Sequence, residues 1–282
     1  MPSPRERVAK VLEAAQLHTS EHQGAHLAWQ QWPAQTEPTS EPLLLLHGGF
    51  GSWNHWIANV LVLSQSREVW TLDLPGLGQS GDLPEPHTIQ HFAEIVLASI
   101  HQLFGEKQRL ALAGFSFGAM ITGKLAVLLG HRCTRCTLLG AAGFGVLHSQ
   151  VVLLPLPSSD ASEQEATRIH AENLRRLMLH KPDAVDDFAI HLHSENLRRF
   201  RFRSRLLAKS NELAELLPEI SAPLVGIWGS EDATAGGRDQ IEARRELFRQ
   251  AQPSSLFHVI DGAGHWVMYE APDAVNELLL LA

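Results

Sequence analysis

A mostly parallel α/β sheet covered by helices and interrupted once by a helical insertion is the fold class the sequence predicts, on three observations. Short apolar runs alternate with longer stretches of helical period. One of those runs ends in a glycine-flanked serine that leads into an Ala/Leu-rich helix. After Gly145 the alternation stops, and strand-like character returns only beyond Pro223.

In chain order, the expected strands are residues 43–47, 68–74, 109–115, 136–141, 224–229 and 255–260, each a short apolar run bounded by turn residues or charges. Residues 53–63, 88–104 and 117–129 read as helices. In the second of these, Ile89, Phe92, Ala93, Val96, Ile100 and Leu103 recur at spacings of three and four, which puts them on one face against a sheet. From 145 to 221 the pattern is helical and charged. Residues 163–180 and 183–199 are the expected helices there, Pro182 lies near their boundary, and Pro155 and Pro157 mark the loop that leads in. The expected division is a core of 1–144 and 222–282 with a helical cap of 145–221.

Composition narrows the function. The chain has 282 residues, enough for one large domain or two modest ones, and its 44% hydrophobic content is that of a folded protein. A net charge of −8 argues against general nucleic-acid binding, which needs a basic face. No apolar run approaches the roughly 18 residues of a membrane span; stretches such as 43–46 and 278–281 suit a strand or a helix. The N-terminus leads into a mixed stretch at 8–17 without the apolar segment of a signal peptide, so a cytoplasmic location is expected. Cys133 and Cys136 fit a reducing compartment. Their C-x-x-C spacing does not open a helix after a strand, as a redox motif does, and no second pair completes a zinc site.

The chemistry centres on Gly114-Phe115-Ser116-Phe117-Gly118, a G-x-S-x-G with a strand before it and a helix after it. Glycines permit a sharp turn that brings backbones together and lifts the serine hydroxyl clear of the sheet edge. A hydroxyl is a weak nucleophile at neutral pH and needs a base oriented by a third group. Downstream, Trp228-Gly229-Ser230-Glu231-Asp232 ends a strand, and Gly262-Ala263-Gly264-His265 follows the last one, so Ser116, Asp232 and His265 occur in the order nucleophile, acid, base. His265 is chosen from 16 histidines because its glycine-flanked loop lets it cross the strand ends. Asp232 is preferred to Glu231, and the loop 140–148 offers no carboxylate. His47 is expected to hold local loop structure. The spacings His22/His26 and His87/His91 would suit a metal but lack the glutamate of H-E-x-x-H, so no metal is expected. The oxyanion of an acyl-transfer intermediate needs preset N–H donors. Phe117, directly after the serine, is one candidate, and Gly49 in His47-Gly48-Gly49-Phe50-Gly51 is the other.

These parts resemble the α/β-hydrolase superfamily from about Leu43 to the C-terminus, including Asp73-Leu74-Pro75-Gly76-Leu77-Gly78-Gln79-Ser80, similar to its D-x-P-G-x-G-x-S loop. The resemblance implies an eight-stranded sheet with a helical lid, a site at the carboxyl ends of the strands, no cofactor, and a structural role for Asp73. Relatives with aspartate at the elbow, the epoxide hydrolases and haloalkane dehalogenases, are excluded by Ser116. His47-Gly48-Gly49, the cap and Gly264-His265-Trp266 resemble the branch of bacterial carboxylesterases and meta-cleavage-product C–C hydrolases. The expected function is hydrolysis of a small, largely apolar carboxylic ester through Ser116, His265 and Asp232. The alternatives are C–C cleavage of a vinylogous diketone and, in another class, small-ligand binding without turnover. Trp266 is a candidate substrate contact or a residue packed behind His265. Arg198, Arg199, Arg201, Arg203 and Arg205 form either a solvated helix face or a source of one carboxylate clamp over the site. The expected partner is a small-molecule substrate, with neither nucleic acid nor membrane; oligomeric state is not legible.

Overall fold

The computed structural model describes residues 2–38, 40–147, 149 and 151–281. Residues 1, 39, 148, 150 and 282, which belong to the expected core, cap and 140–148 loop, lie outside the described residues. Eight strands form one sheet: β1 Gln16–His22, β2 Ala25–Trp32, β3 Leu43–Leu46, β4 Val69–Leu72, β5 Leu110–Phe115, β6 Cys133–Leu139, β7 Leu224–Gly229 and β8 Leu256–Ile260, in the spatial order β1-β2-β4-β3-β5-β6-β7-β8. The six from β3 onward run parallel, and β2 joins β4 antiparallel. Every residue of β3 and β5 is buried, because helices cover both faces of the parallel region.

The hairpin of β1 and β2 extends the sheet beyond the expected strands. Its two-residue turn uses positive φ at Gln23 (50°) and Gly24 (79°), which matches the twist of the flanking strands.

Helices α1 Pro4–Leu12, α2 Val60–Leu63, α3 Ile89–Phe104 and α4 Phe117–Leu129 precede the insertion. Serine at 3 caps α1 in a reciprocal bond with Glu6. The helix expected over 53–63 is instead a tight turn at Trp53–Trp56 followed by α2, capped at its start by Ser52. Between them Asn59 turns its amide to Met268 O (3.1 Å) and Asn276 Oδ1 (2.9 Å).

Among the described residues, no strand lies between β6 and β7. That span holds α5 Glu163–Leu177, α6 Asp187–Arg198, α7 Arg205–Ala208 and α8 Glu212–Leu216. The expected helix at 183–199 starts late because Pro182–Ala184 forms its own turn and Asp186 caps Ala189 N (2.7 Å). Polar bonds fix this span to the sheet layer. Asn196 bonds Ser52 and Asn54, and Trp266 N donates to Met178 O at 2.8 Å. At its start, Ser149 N donates to Thr234 O (2.8 Å), while the buried Arg244 guanidinium joins Leu147 O (2.6 Å) to Ala235 O (2.8 Å). Helices α9 Arg238–Ala251, α10 Val267–Glu270 and α11 Pro272–Leu280 complete the chain. No described helix is long and apolar enough to cross a membrane.

Candidate active site

Because β3, β5, β6, β7 and β8 share one direction, the loops after them gather at one end of the sheet, where open α/β sheets bind ligands. Ser116 sits between β5 and α4 at φ 53° and ψ −115°, outside the ordinary regions for an L residue. The neighbouring glycines explain how the turn is held. A Cβ at Gly118 would strike the His47 carbonyl, and one at Gly114 would strike Thr122 Oγ1. Ser116 N donates to Leu139 O (2.9 Å), so the elbow is fixed to β6 as well.

His265 reaches the elbow from the loop after β8. Its Nε2 lies 3.0 Å from Ser116 Oγ and its Nδ1 2.8 Å from Asp232 Oδ2. The other Asp232 oxygen accepts from Thr234 N and Thr234 Oγ1, both at 2.8 Å, so the carboxylate is held on two sides. Burial pushes the Asp232 carboxyl upward, but the adjacent imidazole and the two Thr234 donors outweigh it and hold the group below its ordinary value. A charged carboxylate therefore stands behind the imidazole. Glu231, the sequence rival, turns away: Ser230 Oγ donates to it and Arg238 lies 3.8 Å off. Gly140, after β6, has φ 48° and lies where any side chain would press on His265 and Asp232.

A cavity of about 120 Å³ lies over Ser116, bordered by Gly49, Phe50, Phe117, Met178, Ser204, Arg205, Lys209 and His265 among others. The Phe117 and Gly49 amides have no hydrogen-bond partner among the described residues, and both residues line this cavity. Phe50 takes φ 57° and packs against Phe200 with the rings tilted and their centroids 4.5 Å apart. A second chamber of about 590 Å³ is bordered by Gly49, Phe50, Leu177 and Met178 as well, and by His55, His193, Arg203 and Arg205.

His47 holds loop structure: its Nδ1 bonds Gly48 O (2.8 Å) and its Nε2 accepts from Leu74 N (2.9 Å). Burial pushes its pKa down to about 4. Asp73 is also tied to loops, accepting from Trp53 N (2.7 Å) and Gln79 N (2.8 Å). Trp266 stands apart from the substrate-contact expectation. It is buried behind the site, stacks on Tyr269 (4.3 Å), and donates from Nε1 to His55 O (2.8 Å), so its polar edge is already used. The arginine run is not a helix face. Only Arg198 lies in α6, where it pairs with Glu195; Arg201 pairs with Asp82, whereas Arg203 and Arg205 reach the chamber. Sequence reasoning missed Thr234, Gly140, His55 and His193. For Thr234 the signal was its position two residues after Asp232, the spacing of a side chain that bonds back to a preceding carboxylate.

Residues 43–278 match the family model described as "Alpha/beta hydrolase family". Over 244 residues the chain is 26% identical to the dihydrolipoyllysine-residue acetyltransferase component of the acetoin cleaving system of Pseudomonas putida, covering 85% of this chain and 62% of that protein. The chain thus spans less than two thirds of that relative's length. A 2-hydroxy-6-oxononadienedioate/2-hydroxy-6-oxononatrienedioate hydrolase of Paraburkholderia phymatum is 24% identical, with 85% of this chain and 86% of that one covered. In solved structures, a thermophilic esterase from Thermogutta terrifontis superposes with a TM-score of 0.68 at 23% identity, covering 95% of this chain and 97% of that one.

Proposed function

The chain belongs to the alpha/beta hydrolase family and is a hydrolase, and from that premise we propose that it hydrolyses a small, largely apolar carboxylic ester through an acyl-enzyme. The observation that carries this reading is the hydrogen-bonded series Ser116, His265, Asp232 beneath a cavity. Ser116 Oγ attacks the ester carbonyl carbon as His265 Nε2 takes its proton. Asp232 accepts from Nδ1–H and stabilises the imidazolium, and the Gly49 and Phe117 N–H groups receive the oxyanion. On collapse, the proton on His265 leaves with the alcohol. Water, deprotonated by the same imidazole, then attacks the acyl-enzyme, releases the acid and restores Ser116. Residues 1–144 and 222–282 form the hydrolase core in this reading, with 145–221 as the cap over the substrate. The free thiols of Cys133 and Cys136 suit the cytoplasm.

Labelling with a fluorophosphonate serine probe, located by peptide mass spectrometry, tests the reading. Stoichiometric adduct on Ser116 is expected, absent in Ser116→Ala and strongly reduced in His265→Ala. Folded protein that takes no label refutes it.

A second reading, C–C hydrolysis of a vinylogous diketone, is favoured by the names of curated relatives and by Arg203 and Arg205 at the chamber, where a guanidinium suits a substrate carboxylate. Faster specific decay of a dienoate chromophore than turnover of small esters would put it first. In that case Arg203→Gln or Arg205→Gln raises KM for anionic substrates more than for neutral ones.

A further inference from the structure

The 590 Å³ chamber has an apolar wall built largely from residues 151–156 with Leu177, Met178 and Leu197. Few polar side chains break it. Asn173 is turned to the backbone, with its Oδ1 accepting from Leu154 N (2.8 Å) and its Nδ2 donating to Leu154 O (3.1 Å). Arg203 and Arg205 are exposed and belong to the mouth. His55 and His193 remain.

His55 is 4% exposed and packed between Phe115 (5.4 Å) and Trp266 (5.1 Å). Gly51 leaves room for its ring, because a side chain there would overlap it. The Gly48 amide donates to Nδ1 at 3.3 Å, which puts the proton of the neutral ring on Nε2. Burial holds the ring neutral, with its pKa well below the ordinary value. Nε2–H has no partner among the described residues. On the facing helix α6, His193 meets His170 edge to face at 5.6 Å, and its Nε2 is shielded from solvent with no partner among the described residues. Burial takes its pKa down to about 3, so it too is uncharged at neutral pH.

We propose that His55 Nε2–H, with His193 beside it, forms a polar subsite for an uncharged oxygen, a keto or hydroxyl group, in the acyl part of the substrate. The acyl assignment follows from position. The chamber borders Gly49, an oxyanion donor, but neither Ser116 nor His265, and the leaving group must stay within reach of His265 for protonation. The preference for an uncharged oxygen follows because neutral imidazoles in an apolar wall offer a hydrogen bond without charge to offset burial of a carboxylate.

This inference rests on the ester-hydrolase reading, and its test separates the two. p-Nitrophenyl hexanoate is compared with its 4-oxo and 5-oxo derivatives and with the p-nitrophenyl monoester of hexanedioic acid. The expected result for the wild type is a kcat/KM at least 10-fold higher for one keto ester than for hexanoate, carried mainly by KM. His55→Phe should abolish the preference, read as the ratio of keto-ester to hexanoate kcat/KM within the same variant, with Ser116 still labelled by fluorophosphonate. His55→Gln, which restores an N–H at a similar reach, should recover part of it. Equal kcat/KM for keto and plain esters in the wild type overturns the proposal and leaves the hydrolase reading standing. So does a preference for the hexanedioate ester that depends on His55. Folded wild type that neither labels nor turns over any ester overturns both.

Discussion

Gly140→Ala tests whether the spacing of His265 and Asp232 is held by the absence of a side chain. An alanine Cβ there would lie 3.1 Å from His265 Nδ1, 3.2 Å from Cε1 and 3.3 Å from Asp232 Oδ2. Comfortable contact begins near 3.5 Å, so the ring must retreat by roughly 0.3–0.5 Å. The bonds at either end of the imidazole, 2.8 and 3.0 Å, leave no slack for that. A misplacement of 1 Å costs about 100-fold in rate, so a shift of this size should cost about 10-fold, near 1.4 kcal/mol of barrier. Separately, φ of 48° should cost an alanine about 1–2 kcal/mol of stability. Gly24→Ala divides the two effects, because Gly24 has φ 79° with open space around it. The assay is the second-order rate of fluorophosphonate labelling beside urea unfolding of both variants. Both should lose stability, and only Gly140→Ala should lose rate. Labelling of Gly140→Ala at the wild-type rate would refute the reasoning.

Thr234→Val removes one charge-assisted donor from Asp232 but keeps the backbone bond, so labelling should slow by about 10-fold, the low end for a hydrogen bond to a charged group; an unchanged rate would show the hydroxyl to be dispensable. Gly49→Ala would set a Cβ 2.5 Å from Ser204 Oγ, so ester turnover should fall by 10-fold or more, and adding Ser204→Gly should restore part of it. Stability should fall with pH through the burial of His47. Its folded pKa of about 4 is below the ordinary 6.5, so the unfolded chain binds the extra proton first, the contribution is complete above about 6.5, and it shrinks as pH drops toward 4. Between pH 7 and 5 the loss from this residue is about 2 kcal/mol, read as a shift in urea midpoint that His47→Gln should make smaller, with His55 and His193 accounting for part of what remains.

Five of the six parallel strands, β3 to β7, were legible because they are largely buried and so read as apolar runs: the expected 43–47, 109–115 and 224–229 regions match β3, β5 and β7 closely, while β8 keeps Leu256 and Val259 exposed. The hairpin was not. As an edge strand, β1, with the sequence Gln-Leu-His-Thr-Ser-Glu-His, buries only Ser20, so it carries no apolar alternation, although Gln23-Gly24 marked the turn. Helices α9 and α11 were also passed over, the first because its exposed face is crowded with charge and only Ile241, Arg244 and Phe248 are buried. At the site, Ser116, Asp232 and His265 were legible because each follows a strand in a turn or loop that carries glycine, and the structure brings these three together. Gly140, His55 and His193 were hidden for one reason: each matters through a neighbour distant in sequence, and spacing along the chain carries no such information, whereas Thr234 was marked by its place two residues after Asp232. Trp266 shows the reverse, a large side chain beside His265 whose indole N–H is spent on the His55 carbonyl.

Arg244 and Ser149 have a consequence for how this architecture diversifies. They rivet the first residues of the insertion to the backbone of Thr234 and Ala235, in the loop that carries Asp232. Beyond that rivet, helices of another length or sequence can be spliced in without transmitting strain to the acid. In the proposed function, the loop of the acid is thereby set apart from the segment that covers the substrate, whereas the loop of the base meets that segment where Trp266 N donates to Met178 O. Exchange of the segment after Ser149 becomes a modular operation, with the rivet as the boundary at which a graft should begin.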